Sequence, residues 1–130
     1  MKIERFEEIH AWQEARKLSN MVYAAANQGK FQKDYGLKDQ IQRAGASVMA
    51  NISEGFEAKS KIEFVRFLTY SKRSASEVQS HLYLALDQNY ITKENFDELY
   101  TQSSYVKNLI GGFIRYLLGK NTPNRNTVAL

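Results

Sequence analysis

The sequence has 130 residues, of which 43% are hydrophobic and 25% are charged, and its formal net charge at pH 7 is +4. A chain of this length can form one domain with one hydrophobic core, and its composition is too apolar for an intrinsically disordered protein. It contains no cysteine, which excludes disulfides, thiolate catalysis and cysteine-ligated zinc. No segment has the ~20 apolar residues of a membrane span and the first residues lack a signal peptide's apolar stretch, so we expect a cytoplasmic protein without membrane contact.

The first half of the chain predicts two amphipathic helices. The first covers residues 6–27, where apolar and small side chains recur at three- and four-residue steps, and Gly29 is its predicted C-cap. A connection over residues 30–35 leads to the second helix, which covers residues 36–56 and repeats the same spacing.

The second half predicts two more helices, over residues 60–89 and 92–118. Ser60 followed by Glu63 is a capping box ahead of an apolar run, and Thr92 is the predicted N-cap of the last helix. A helix of about thirty residues is roughly 45 Å long, and only similar helices can bury it along its whole length.

The short connections between these long helices predict the fold. Antiparallel neighbours are favoured, so we expect an all-α, antiparallel up-down-up-down four-helix bundle with left-handed packing over residues 1–120. Residues 121–130 show no periodicity and are predicted to be a flexible C-terminal tail.

Polar residues recur beside the apolar stripes of the second and third helices. Ser71 and Ser74 even occupy positions in the apolar seam of the third helix, which indicates a polar layer within the fold. We predict a hydrogen-bonded network that fixes the helix register. Its predicted members are Gln40, Arg43, Ser47, Asn51, Glu54, Ser74 and Glu77.

A catalytic or metal site is the other interpretation of these polar residues. The chain has too few metal-ligating and catalytic residues for either kind of site. A di-iron bundle site needs two Glu-x-x-His pairs and two further carboxylates, whereas the chain has only His10 and His81. No nucleophile, glycine-rich phosphate loop or oxyanion arrangement accompanies Glu54, Glu77 and His81. We therefore predict no enzymatic activity, no metal, no cofactor and no small-molecule substrate.

Positive charge is concentrated at the end of the chain. All 14 acidic residues lie at or before Glu98, so the last thirty residues carry basic side chains and no acid. On the third helix Lys59, Arg66 and Arg73 recur every seven residues, which predicts a stripe that could follow several phosphates. The candidate nucleic-acid-binding residues are Lys59, Arg66, Lys72, Arg73, Lys107, Arg115 and Lys120.

A second interpretation of the stripe is that its cations belong to ordinary ion pairs. Glu63 lies three residues before Arg66, and Glu77 lies four residues after Arg73, both of which are spacings that allow pairing on one helix. Surface ion pairs of this kind would leave little free charge for a ligand.

The segments QIQRAGASVMANISEGF and SKIEFVRFL, followed by Ser74 and Glu77, resemble the signature of a bacterial family of four-helix bundle proteins. Members of this family are encoded by intervening sequences in 23S ribosomal RNA genes. The resemblance extends from about Phe6 to about Lys120. The residues that fit the family pattern are Gln40, Arg43, Ala44, Ser47, Asn51, Ile52, Glu54, Gly55, Ser60, Phe64, Phe67, Leu68, Ser74 and Glu77.

The resemblance implies a homo-oligomer, a pentameric barrel, and no established enzyme activity. It also implies kinship with the basic accessory proteins of diversity-generating retroelements, which associate with nucleic acid and reverse transcriptase. The chain departs from the pattern at Glu57, Ala58 and Arg73. Two functions follow as expectations: an oligomeric accessory protein that binds RNA or DNA weakly, or a structural or protein-interaction module without nucleic-acid binding.

Overall fold

Four long helices and two short helical segments make up the fold. The computed structural model describes residues 2–119, and every regular element within this range is helical, which confirms the predicted all-helical class. The elements are a 3-10 helix at Phe6–Glu8, α1 (His10–Ala26), α2 (Gly29–Lys33), α3 (Tyr35–Glu57), α4 (Lys61–Asp87) and α5 (Lys93–Leu117). Lys120 and the predicted tail over residues 121–130 lie outside the described residues.

The four long helices enclose one hydrophobic core. α1 and α4 each pack against both α3 and α5. Leu18, Val48, Leu82 and Ile110, one from each long helix, are fully buried. Burying a side chain of this size stabilises the fold by ~1.5–3 kcal/mol, so the packing of the amphipathic faces outweighs intrinsic helix propensity. Between residues 2 and 119, none of the helices combines the length and the hydropathy that a membrane crossing requires.

The predicted first helix is interrupted at Ile9. This residue has an extended backbone (φ −75°, ψ 120°) between the 3-10 helix and α1, and its side chain is fully buried. The extended conformation allows the side chain to reach the core from a strongly charged segment. The prediction of one continuous helix over residues 6–27 was therefore wrong.

The connection predicted over residues 30–35 contains the short helix α2. Its only buried residue is Phe31, whose ring stacks on that of Tyr90 with the centroids 5.3 Å apart. A five-residue helix is too short to show an apolar period, so the sequence does not reveal it. Gly29 opens α2 with a positive φ of 52°, and the C-cap of α1 is Asn27 instead.

Asp34 joins two connections that are far apart in the chain. Its Oδ1 accepts a hydrogen bond from the backbone N–H of Leu37 at the start of α3 (3.1 Å), and its Oδ2 accepts one from the Tyr90 hydroxyl (2.9 Å). The latter hydrogen bond is the main reason that the pKa of Tyr90 is raised above its usual value, with burial and the Asp34 charge contributing. The carboxylate thus ties the start of α3 to the loop between α4 and α5.

The two predicted N-caps of the second half are confirmed. The Ser60 hydroxyl accepts a hydrogen bond from the N–H of Glu63 (3.3 Å), and the Thr92 hydroxyl accepts one from the N–H of Asn95 (3.0 Å). The Glu63 carboxylate accepts from Arg66. The first turn of α4 is thus held by the serine cap and an ion pair.

Candidate nucleic-acid interface

Three of the seven residues predicted to form a polar network are hydrogen-bonded to one another. The hydroxyls of Ser47 on α3 and Ser74 on α4 lie 2.9 Å apart. Asn51 Nδ2 donates to both the hydroxyl and the carbonyl oxygen of Ser47, each at 2.9 Å. All three residues are partly buried, so this small network links α3 to α4 and stabilises their register.

The other four predicted members are on the surface, and the prediction of a single seven-residue network is too broad. They are Gln40, Arg43, Glu54 and Glu77, all exposed. Arg43 donates to Asp39 (2.8 Å), and this hydrogen bond raises the pKa of the guanidinium group. Glu77 pairs with His81 at 3.4 Å. Their spacing puts them beside the apolar stripe of each helix, but their side chains are exposed, and the partners of Arg43 and Glu77 lie on the same helix as the residues themselves.

The predicted basic stripe is not continuous in the structure. Lys59 precedes α4 with a positive φ of 59°, and its Nζ lies 5.4 Å from the ring centroid of Phe56. Arg66 is paired with Glu63, with 2.6 Å between Nη2 and Oε1. Arg73 is exposed. The ion-pair interpretation therefore holds for Arg66, and the stripe does not offer three free cations in a row.

A different group of candidates comes together where α4 packs against α5. An ideal Cβ placed on Gly111 would lie 3.6 Å from the Nζ of Lys72 and 3.5 Å from the Nη1 of Arg115. The two charged groups therefore lie within about 7 Å of each other, a distance at which like charges repel appreciably. The glycine leaves the backbone between them without a side chain.

Lys107 lies one helical turn before Gly111 and adds a third cation to the same face of α5. Its Nζ donates to the Oε1 of Gln79 on α4 (3.2 Å). Gln79 is itself buried, and its Nε2 donates to the Ser104 hydroxyl at 2.9 Å. A buried amide therefore orients Lys107. Lys72, Lys107 and Arg115 are called the basic cluster below.

The basic cluster has no acidic partner within the part of the chain that the structure describes. Among residues 2–119, no carboxylate oxygen lies within 4.0 Å of a charged nitrogen of its three members. Two features explain this. α5 carries no acid after Glu98, and on α4 the carboxylates of Glu63 and Glu77 contact Arg66 and His81, while Asp87 lies fifteen residues along the helix from Lys72. The cluster offers N–H donors and uncompensated positive charge, so it is suited to bind phosphate groups.

Sequence reasoning missed two contributors to this cluster. Gln79 lies within an amphipathic pattern as an ordinary polar residue, and Gly111 lies in a glycine pair on a helix. Only the absence of acids after Glu98 marked this region, and it did not indicate which residue of α4 would face α5. Within the described part of the chain, no group of three or more histidine, aspartate or glutamate residues could hold a metal ion.

The described residues form an all-helical protein with four long helices and a basic cluster where α4 packs against α5. The chain belongs to the 23S rRNA-intervening sequence protein family, whose model matches residues 7–112. It is similar to a crystal structure from Bacteroides thetaiotaomicron, described as a protein with unknown function from the S23 ribosomal protein family. That similarity has a TM-score of 0.74 and 25% identity, and it covers 81% of this chain and 98% of the other. No curated protein matches the sequence.

Proposed function

We propose that this chain is a non-enzymatic, cytoplasmic accessory protein that binds RNA or DNA weakly through the basic cluster. The observation that carries the proposal is the proximity of Lys72 on α4 and Arg115 on α5, with Lys107 one helical turn before Gly111 and no carboxylate partner for any of the three among the described residues. A phosphate between Lys72 and Arg115 would attract both and relieve their mutual repulsion.

The proposed assembly is a homo-oligomer, as the family resemblance implies, with a pentamer as the expected form. We also propose that the four long helices form an antiparallel, left-handed bundle. The antiparallel direction is supported for one pair, because contacts to α3 run in opposite order along α4. Ser71 bonds to Val48, whereas Ser74 bonds to Ser47. A ring of copies would repeat the basic cluster, and phosphate binding adds over contacts.

Fluorescence anisotropy with labelled RNA and DNA tests the binding. The wild-type protein is expected to bind at micromolar concentration in low salt and to lose affinity steeply from about 50 mM to about 200 mM salt. The double variant Lys72→Gln with Arg115→Gln should lower the slope of log affinity against log salt by about 1.4 to 1.8, since two phosphate contacts are lost.

The matched control removes two cations elsewhere. Lys30 and Lys33 lie on the exposed part of α2, and Lys30→Gln with Lys33→Gln changes the net charge by the same amount. This control should retain most of the affinity and the salt slope. Equal losses in the two double variants, or no binding by the wild type at low salt, would overturn the proposal.

The second candidate function is a structural or protein-interaction module without nucleic-acid binding. It is favoured by two large apolar side chains at the surface, Tyr35 and Ile62, which are 77% and 78% exposed. Assembly or a protein partner would bury such residues. Light scattering tests whether the protein associates with itself. A clean monomer at high concentration counts against this module and against the proposed pentamer.

A further inference from the structure

An exposed aromatic ring lies on the same two helices as the basic cluster. Tyr83 on α4 is 52% exposed, and its ring packs against Phe96 and Tyr100 of α5 with centroid distances of 4.9 and 5.8 Å. Phe96 and Tyr100 are in turn stacked on each other at 5.4 Å. Two aromatic neighbours therefore hold the Tyr83 ring in a defined orientation while leaving half of its surface to solvent.

The buried side chain of Gln79 connects the aromatic group to the basic cluster beneath the surface. Its Nε2 lies 3.4 Å from the carbonyl oxygen of Tyr100, and its Oε1 accepts the hydrogen bond from Lys107. Lys72 and Tyr83 are separated by eleven residues of α4, which corresponds to a rise of about 16 Å. Eleven residues are also about three helical turns, so Lys72 and Tyr83 lie on the same face of α4.

Charge marks the two ends of this surface differently. The end at Lys72 and Arg115 is basic, whereas Asp87 follows Tyr83 by one helical turn and Asp97 follows Phe96 directly. Asp97 is paired with Lys93, and Asp87 is exposed. Lys93 also lies 5.3 Å from the ring centroid of Phe96, so the acidic charge at this end is partly compensated. The basic cluster is therefore the end that favours phosphates, and the exposed face of Tyr83 is the part suited to a base.

We infer that the ligand of this surface is single-stranded nucleic acid, with phosphates at the basic cluster and a base stacked on Tyr83. The inference rests on the proposed function and specifies its substrate. In a duplex the faces of the bases are already stacked inside the helix, so only an unpaired strand presents a base to an aromatic ring. Duplex binding would use the basic cluster alone and would not depend on Tyr83.

The experiment compares fluorescein-labelled oligothymidine and oligouridine with a duplex of the same length, using the full chain at low salt. The wild type should bind the single strands on the order of tenfold more tightly than the duplex, because one stacked base contributes ~1–3 kcal/mol. Tyr83→Leu keeps an apolar side chain over Phe96 and removes the aromatic face. It should weaken single-strand binding by about tenfold without changing the salt slope.

Two further variants complete the test. Tyr83→Phe keeps the aromatic face and should bind single strands like the wild type. Tyr23→Leu, at an exposed tyrosine of α1, should have no effect. Circular dichroism of each variant confirms that the helices are intact. Equal affinity for duplex and single strand, or unchanged binding by Tyr83→Leu, would overturn the inference.

The outcomes also separate this inference from the proposed function. Duplex binding that requires Lys72 and Arg115 but not Tyr83 would retain nucleic-acid binding and reject the single-strand preference. Absence of binding to all three ligands would reject both. A tenfold preference for single strands that Tyr83→Leu abolishes would support both.

Discussion

Replacing Gly55 by alanine tests the closest approach between α3 and α4. An ideal Cβ on Gly55 would lie 2.8 Å from Phe64 Cδ1, 2.9 Å from Phe67 Cβ and 3.3 Å from the Phe64 carbonyl oxygen. The last two atoms belong to the α4 backbone or are bonded directly to it, so the helices must separate. Such overpacking costs ~1–3 kcal/mol, and the steric environment here puts it at the upper end. Alanine recovers ~1 kcal/mol in helix propensity, which leaves Gly55→Ala destabilised by about 1–2 kcal/mol.

Gly45→Ala on the same helix provides the opposite result as a control. A Cβ there would lie 3.7 Å from its nearest atoms, in Ser19 and Val22, which is ordinary van der Waals contact. The propensity gain should then stabilise the protein by up to ~1 kcal/mol, equivalent to about 4 °C in Tm for a chain of this length. Urea unfolding followed by circular dichroism, at one protein concentration, measures both variants. If Gly55→Ala is as stable as Gly45→Ala, the steric reasoning is refuted.

Three smaller changes test individual hydrogen bonds. Ser71→Ala should cost ~0.5–1.5 kcal/mol in urea unfolding, because the fully buried hydroxyl donates to the Val48 carbonyl oxygen; an unchanged midpoint would contradict this. Thr92→Ala removes the N-cap of α5 and should lower the free energy of unfolding by ~1 kcal/mol, whereas Thr92→Ser should not. Tyr90 has a raised pKa because its hydroxyl donates to Asp34, so this stabilisation is present below about pH 10 and is lost as pH rises through the folded-state pKa. Tyr90→Phe should therefore be less stable than the wild type at neutral pH and lose less stability in alkaline urea titrations; parallel curves would refute the assignment.

The sequence was sufficient for the elements that depend on local signals. The long helices were visible from apolar periodicity, and Ser60 and Thr92 were recognisable as caps because capping depends on residues three positions apart. The features that it missed depend on distant partners. Ile9 leaves the helical conformation to reach the core, and α2 forms around Phe31, which stacks on Tyr90.

The same difference between local signals and distant contacts explains how much of the candidate site could be predicted. Heptad spacing placed Lys59, Arg66 and Arg73 in one stripe, but spacing does not show whether a cation is paired or whether the helix has begun at that residue. Lys72 and Arg115 were both candidates, yet their convergence depends on the register of α4 against α5. No local pattern encodes that register, so the basic cluster became recognisable only in three dimensions.

The two hydrogen bonds of the Asp34 carboxylate have a consequence for folding kinetics. Oδ1 accepts a hydrogen bond from the N–H of Leu37, only three residues further along the chain. That contact can form as soon as the first turn of α3 does. Oδ2 accepts a hydrogen bond from the hydroxyl of Tyr90, which is 56 residues away in the chain. This second hydrogen bond can form only after α3 and α4 have docked. The start of α3 should therefore gain its protection against hydrogen exchange in two phases, the second at the rate of the whole chain.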